Sequence, residues 1–137
     1  MGKQHLLVIE DHRLTAVALK QFLEISGYRV DLAGTVARGL AATGSRQYDL
    51  LLCDLNLPDG TGWDLLETLQ RQRPVRAVAF SAYDDPDHIA RSRSSGFIDH
   101  IGKATDPDEV LERIRRAIKA PLKKKPGRHA RAAKDQN

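Results

Sequence analysis

Five short aliphatic runs, separated by stretches of a different period, constrain this chain more than any other feature. They are HLLVI (5–9), RVDLA (29–33), DLLLC (49–53), RAVAF (76–80) and FIDHI (97–101), each of strand length. Near-continuous apolar runs suit strands whose sheet is covered on both faces. Between them, Leu14, Val17, Ala18, Phe22 and Ile25 repeat at helical spacing up to Gly27, and Val36, Leu40 and Ala41 do so up to Gly44. Trp63 and the leucines after it read as helix packing. Asp85 before Pro86, and Asp106 before Pro107 with Glu109 following, are caps with proline at the first helical position. Val110, Leu111, Ile114 and Ile118 supply the apolar stripe of the last helix. Strands alternating with helices imply right-handed crossovers, so the fold class is α/β: a doubly wound, five-stranded parallel sheet with five helices.

With 137 residues the chain suits one domain with a sizeable core. The net charge of +4 suggests nucleic acid until its distribution is considered. Six of the 22 basic side chains follow Pro121, against one acid, whereas residues 1–120 hold 16 basic and 17 acidic groups, a net −1. The basicity therefore belongs to a tail, 121–137, which lacks large apolar residues beyond Leu122 and aromatic residues to stack on bases. It is expected to be an unstructured tail or linker, with no direct nucleic-acid binding. Residues 1–120 are expected to form the domain. The single Cys53 excludes an internal disulfide and suits a reducing compartment. No apolar run approaches membrane-span length and the start does not read as a signal peptide, so a cytoplasmic location is expected.

In a doubly wound sheet, ligands bind beyond the carboxyl ends of the strands, where strand order reverses. Glu10 and Asp11 follow the first strand, Asp54 the third, Ser81 the fourth and Lys103 the fifth, so all emerge at one edge. Singly, the acids could be helix-dipole or turn residues. Three carboxylates brought together repel, and a hard divalent cation with oxygen ligands, most simply Mg²⁺, resolves the conflict. Asp54 is then a candidate nucleophile that accepts a phosphoryl group as an acyl phosphate, with Lys103 neutralising charge and Ser81 donating a hydrogen bond.

With Glu10-Asp11, the run DLNLPDGTG from Asp54, Ser81-Ala82 and Lys103 in this order at successive strand ends, the chain resembles the response-regulator receiver domains of two-component signalling over residues 4–120. The resemblance implies the strand order 2-1-3-4-5, Asp54 as phosphoacceptor, Asp11 as a direct metal ligand, Glu10 as one through water, and the backbone carbonyl of Asn56 completing the protein's share. Ser81 and Lys103 would hold the phosphoryl oxygens. The donor would be a phosphohistidine on a histidine kinase or histidine phosphotransfer protein. Ser81 and a switch residue on strand five would alter the face made by helix four, strand five and helix five. Whether that face pairs two copies, what output it serves, and whether the domain stands alone or belongs to a larger regulator or hybrid histidine kinase stay open. Asn56 and Tyr83 would tune the lifetime of the acyl phosphate, and the surface of helix one, with Leu14, Val17 and Leu19, would dock the donor.

Two positions depart from the family pattern. The switch position, commonly Tyr or Phe, is His100, which is expected to weaken the coupling or make it pH-dependent. Ala104 stands where a cis proline usually follows the lysine, so either a costly non-proline cis bond is kept or the loop is rearranged. His5, His12, His88 and His129 show no metal-ligand spacing and read as surface or half-buried residues, and Cys53 reads as a small core residue. Among rivals, a haloacid-dehalogenase-like phosphatase would need an acid two residues after the nucleophile, where this chain has Asn56. A dinucleotide binder would need a glycine-rich turn after the first strand. A receiver-shaped interaction module that works without phosphorylation is the remaining alternative.

Overall fold

The computed structural model describes residues 2–122; the basic segment 123–137, and His129 with it, lies outside them. Five parallel strands, β1 (His5–Ile9), β2 (Arg29–Ala33), β3 (Leu50–Cys53), β4 (Ala77–Ser81) and β5 (Asp99–Gly102), form one sheet in the order β2-β1-β3-β4-β5. Five helices alternate with them: α1 (Arg13–Ile25), α2 (Val36–Ser45), α3 (Gly62–Gln72), α4 (Pro86–Ser95) and α5 (Pro107–Ile118). The expected fold class and strand order are those observed.

Side chains alternate across a strand, so each run feeds two cores. Leu6, Val8, Leu52, Val78 and Ile101 point to the face covered by Leu19 and Leu23 of α1 and Val110 and Ile114 of α5. Leu7, Ile9, Leu51 and Cys53 point to the other, where Leu65, Leu66 and Leu69 of α3 close over them. Cys53 is buried in this second layer, where desolvation pushes its thiol pKa well up. Burial on both faces is why Leu6–Ile9 of β1 and Leu50–Cys53 of β3, both interior strands, are apolar at every position.

Local boundaries differ from the expected ones where a neighbour claims a backbone group. β5 starts at Asp99 rather than Phe97, because the Phe97 amide donates to the Ser92 carbonyl at the end of α4. β4 runs to Ser81, which pairs with Gly102, and β3 begins one residue later than expected, at Leu50. α2 continues through Gly44 to Ser45, since nothing crowds that glycine and the cap falls at Arg46. On α1 the core stripe is Ala16, Leu19 and Leu23, with Phe22 packed beside it; Leu14, Ala18 and Ile25 face solvent. Ala41 of α2 is likewise exposed, and Gly39 and Thr43 face inward. His5 is buried rather than at the surface, with Nε2 3.1 Å from Asp31 Oδ2 and its ring edge-on to Tyr48.

The two Asp-Pro starts cap as expected: Asp85 accepts from the His88 amide and Asp106 from the Asp108 amide. Glu109 does not close a reciprocal capping box; its carboxylate pairs with Arg113, 3.2 Å away. Among the described residues every peptide bond is trans, so the loop after Lys103 takes the rearranged course without a cis bond at Ala104. No helix of the described residues is long and apolar enough to cross a membrane.

Candidate functional site

Strand order reverses between β1 and β3, and the sheet's own hydrogen bonds carry the chain one residue past each strand there. The amide of Asp54 donates to the Ile9 carbonyl at 2.8 Å, that of Glu10 to Ala33 at 2.9 Å, and that of Lys103 to Ser81 at 2.8 Å. Glu10, Asp54 and Lys103 thus leave from residues still bonded to a neighbour strand, which fixes their origins as firmly as the sheet itself.

Glu10, Asp11 and Asp54 each place a carboxylate oxygen within 4.8 Å of the others. Glu10 and Asp54 are only 5% and 8% exposed, whereas Asp11 lies at the open rim. Lys103 Nζ bridges the buried pair, 2.7 Å from Glu10 Oε1 and 3.1 Å from Asp54 Oδ2. Burial lifts the Glu10 pKa above its usual range, an effect that the lysine and the His12 amide oppose without cancelling. Burial also pulls on Lys103, but the two carboxylates outweigh it and hold its pKa above the ordinary value. One cation between two acids, with a third acid beside them, leaves the cluster short of positive charge. All three donors are oxygens, so the residues present fit a hard divalent cation such as Mg²⁺.

The two oxygens of Asp54 have different partners. Oδ1 accepts the Leu55 amide at 2.7 Å, with the Asn56 amide at 3.4 Å, while Oδ2 faces Lys103. The backbone therefore orients the carboxylate and leaves Oδ2 toward the cleft. Asn56 is exposed and pairs with Thr61 in a two-residue antiparallel ladder, Asn56–Leu57 against Gly60–Thr61, that closes the Pro58-Asp59 turn. Ser81 is buried, and its Oγ accepts the Tyr83 amide at 3.0 Å. The Tyr83 ring is half exposed and stacks on His88 at 5.2 Å. His100 is 5% exposed, with Nδ1 2.8 Å from Ser92 Oγ and Nε2 2.7 Å from the Tyr83 carbonyl oxygen. The sequence-predicted set thus gathers at one edge, except that His100 lies beneath α4 rather than in the cleft.

Several supporting residues were not foreseen. Asp59 accepts the amides of Val36 and Ala37 at 2.7 and 3.0 Å, bolting the loop after Asp54 to the start of α2. These bonds draw its carboxyl below the usual range. The only signal for it was the Pro-Asp-Gly turn. Gly62 approaches the loop so closely that an added Cβ would strike the Asp54 carbonyl and lie 3.0 Å from Cys53 Sγ. Asp99 binds Arg113 through two bonds of 2.8 and 2.6 Å on the face of β5 and α5. Leu19, expected on an exposed α1 face, is buried, while Leu14 is 77% exposed and Val17 half-buried.

The response regulator receiver domain family matches residues 6–115. The chain belongs to that family. Its receiver domain is 30% identical over 115 residues to the KDP operon transcriptional regulatory protein KdpE of Escherichia coli K12, covering 84% of this chain and 51% of that protein. It is 33% identical over 113 residues to the transcriptional regulatory protein KdpE of Mycobacterium tuberculosis H37Rv, covering 82% and 50%. The chain spans about half the length of these curated relatives. Among solved structures, a CheY-like receiver domain protein from Methanospirillum hungatei superposes with a TM-score of 0.80 at 30% identity, covering 85% of this chain and 94% of that one. The non-phosphorylated HemR receiver domain of Leptospira biflexa gives 0.79 at 29%, covering 87% and 97%.

Proposed function

We propose that this receiver domain takes a phosphoryl group onto Asp54 from a phosphohistidine of a histidine kinase or histidine phosphotransfer protein and thereby switches partner binding. The observation that carries the reading is a buried carboxylate with one oxygen tied to the Leu55 amide and the other facing Lys103, beside Glu10 and Asp11. Oδ2 forms the new P–O bond as the P–N bond to the donor breaks, and the departing imidazole takes a proton from solvent. Lys103 offsets negative charge on the phosphoryl oxygens, and the Ser81 hydroxyl turns from Tyr83 to donate to one of them. Asp11 directly, Glu10 through water, Asp54 and the Asn56 carbonyl would hold Mg²⁺, which supplies charge compensation for the entering group.

The domain assists its own phosphorylation and dephosphorylation rather than turning over a free substrate, and Asn56 and Tyr83, flanking the mouth of the site, tune how long the acyl phosphate lasts. Leu14 on α1 belongs to the donor's docking face. The face of α4, β5 and α5 carries the output, including any pairing of two copies.

Incubation with Mg²⁺ and a small phosphodonor such as acetyl phosphate, followed by intact mass, tests the reading. The wild type should gain one phosphoryl group and Asp54→Ala none. An unmodified wild type would leave the alternative, a receiver-shaped interaction module that works without phosphorylation.

A further inference from the structure

The imidazole at the switch position is bonded on both nitrogens, and donor–acceptor rules fix its proton. Trp63 Nε1 lies 3.0 Å from Ser92 Oγ, that oxygen 2.8 Å from His100 Nδ1, and His100 Nε2 2.7 Å from the Tyr83 carbonyl oxygen. An indole N–H can only donate and a carbonyl can only accept. In the neutral ring, Nε2 therefore keeps the hydrogen and donates to Tyr83, and Ser92, which accepts from Trp63, gives its own hydrogen to Nδ1. The neutral Nε2–H tautomer satisfies every member. Trp63, Ser92 and His100 are 8%, 0% and 5% exposed, so an unmade bond here would be costly.

Charged groups surround the residue without reaching the ring nitrogens. The Asp99 carboxylate accepts the His100 amide, Arg113 donates to its carbonyl, and Arg91 lies over Trp63 at 4.1 Å. Tyr83 is bonded on both sides, its amide to Ser81 Oγ and its carbonyl to His100. An unbroken line of hydrogen bonds thus runs from Ser81 in the site, through the loop before α4 and through β5, to α4 and α3.

We propose that this line couples the site to α4, with Ser92 as the positioning residue that locks His100 inward. A change of partner at Ser81 Oγ frees the Tyr83 amide, and the Tyr83 carbonyl passes the shift through His100 to Ser92 and Trp63 while the imidazole stays in place. The two-state element is the hydrogen bond of Ser81, made either to Tyr83 or to a phosphoryl group. The inference rests on the phosphoacceptor reading of Asp54.

Nitrogen NMR of the ligand-free protein should show His100 as the single Nε2–H tautomer, and finding Nδ1–H would overturn the lock. Beryllofluoride with Mg²⁺, its binding followed by fluorine NMR, should then shift the indole N–H resonance of Trp63 in the wild type. The same bound fluoride should leave that resonance unmoved in Ser92→Ala. His100→Phe, which keeps an aromatic ring at this position, should behave alike and serves if the first variant does not fold. An unmoved indole in the fluoride-bound wild type, or an equal response in His100→Phe, would overturn the coupling. Failure of the fluoride to bind would overturn the Asp54 reading and the coupling with it, while the ligand-free tautomer still decides the lock.

Discussion

Removing the cation from the acidic cluster is the sharpest perturbation the structure offers. Lys103→Met keeps the aliphatic stem and deletes the ammonium that contacts Glu10 at 2.7 Å and Asp54 at 3.1 Å. Stripping one partner from a buried ion pair costs about 3–5 kcal/mol, because the other charge is left uncompensated. Here the two acid side chains are 3% and 10% exposed but the lysine is 26% exposed, so water can enter where it stood. We expect a loss of about 2–4 kcal/mol near neutral pH. The pH dependence has a definite sign. Glu10 already has a raised pKa in the fold, so its ionisation costs stability as pH rises through that value; without Lys103 the rise is larger and the cost greater. The deficit of the variant is therefore greatest near neutrality and shrinks as acid protonates Glu10. Urea denaturation across that range measures it. Mg²⁺ at about ten times its dissociation constant should return about 1.4 kcal/mol by binding only the folded state. A variant within about 0.5 kcal/mol of wild type at neutral pH, where ordinary surface changes fall, would refute the view of Lys103 as the charge that holds the apo cluster together.

Gly62→Ala should destabilise by about 1–3 kcal/mol, the range for overpacking, because its methyl would meet the Asp54 carbonyl and Cys53 Sγ rather than a yielding side-chain end; chemical denaturation checks it, and a neutral result would mean the loop shifts freely. Tyr48, half-buried and donating to Asp31 Oδ2 at 2.7 Å, has its pKa pushed up to about 12, first by burial and then by that carboxylate. Since the folded value is the higher one, the stability it contributes is complete below about 10 and lost as pH rises toward about 12; phenolate absorbance should show this late titration, and Asp31→Asn should bring it earlier.

Both the sheet and the site residues were legible in the chain because their signals are local. A strand covered on both faces must be apolar throughout, and a residue placed just past such a run must emerge at the carboxyl edge. Glu10, Asp11, Asp54, Ser81 and Lys103 could therefore be assigned to one edge before their distances were known. The cap residues Asp85 and Asp106 were equally local, since a cap bonds within its own first turn.

What the sequence alone determined is the order of strands and helices and the kinds of side chain delivered to the strand ends. It could not choose among competing faces. α1 has apolar residues on most of its circumference, and of the expected stripe Leu14, Val17, Ala18, Phe22 and Ile25 only Phe22 packs against the core; docking against β1 and β2 selected Ala16, Leu19 and Leu23 instead. Nor could it foresee bonds between residues far apart in the chain. Asp59 reaches the start of α2, Trp63 reaches Ser92, and Ser92 reaches His100, because packing brings together groups for which sequence spacing holds no trace. The tertiary structure decided these matters for one physical reason: a buried polar group must find its partner wherever the fold places one.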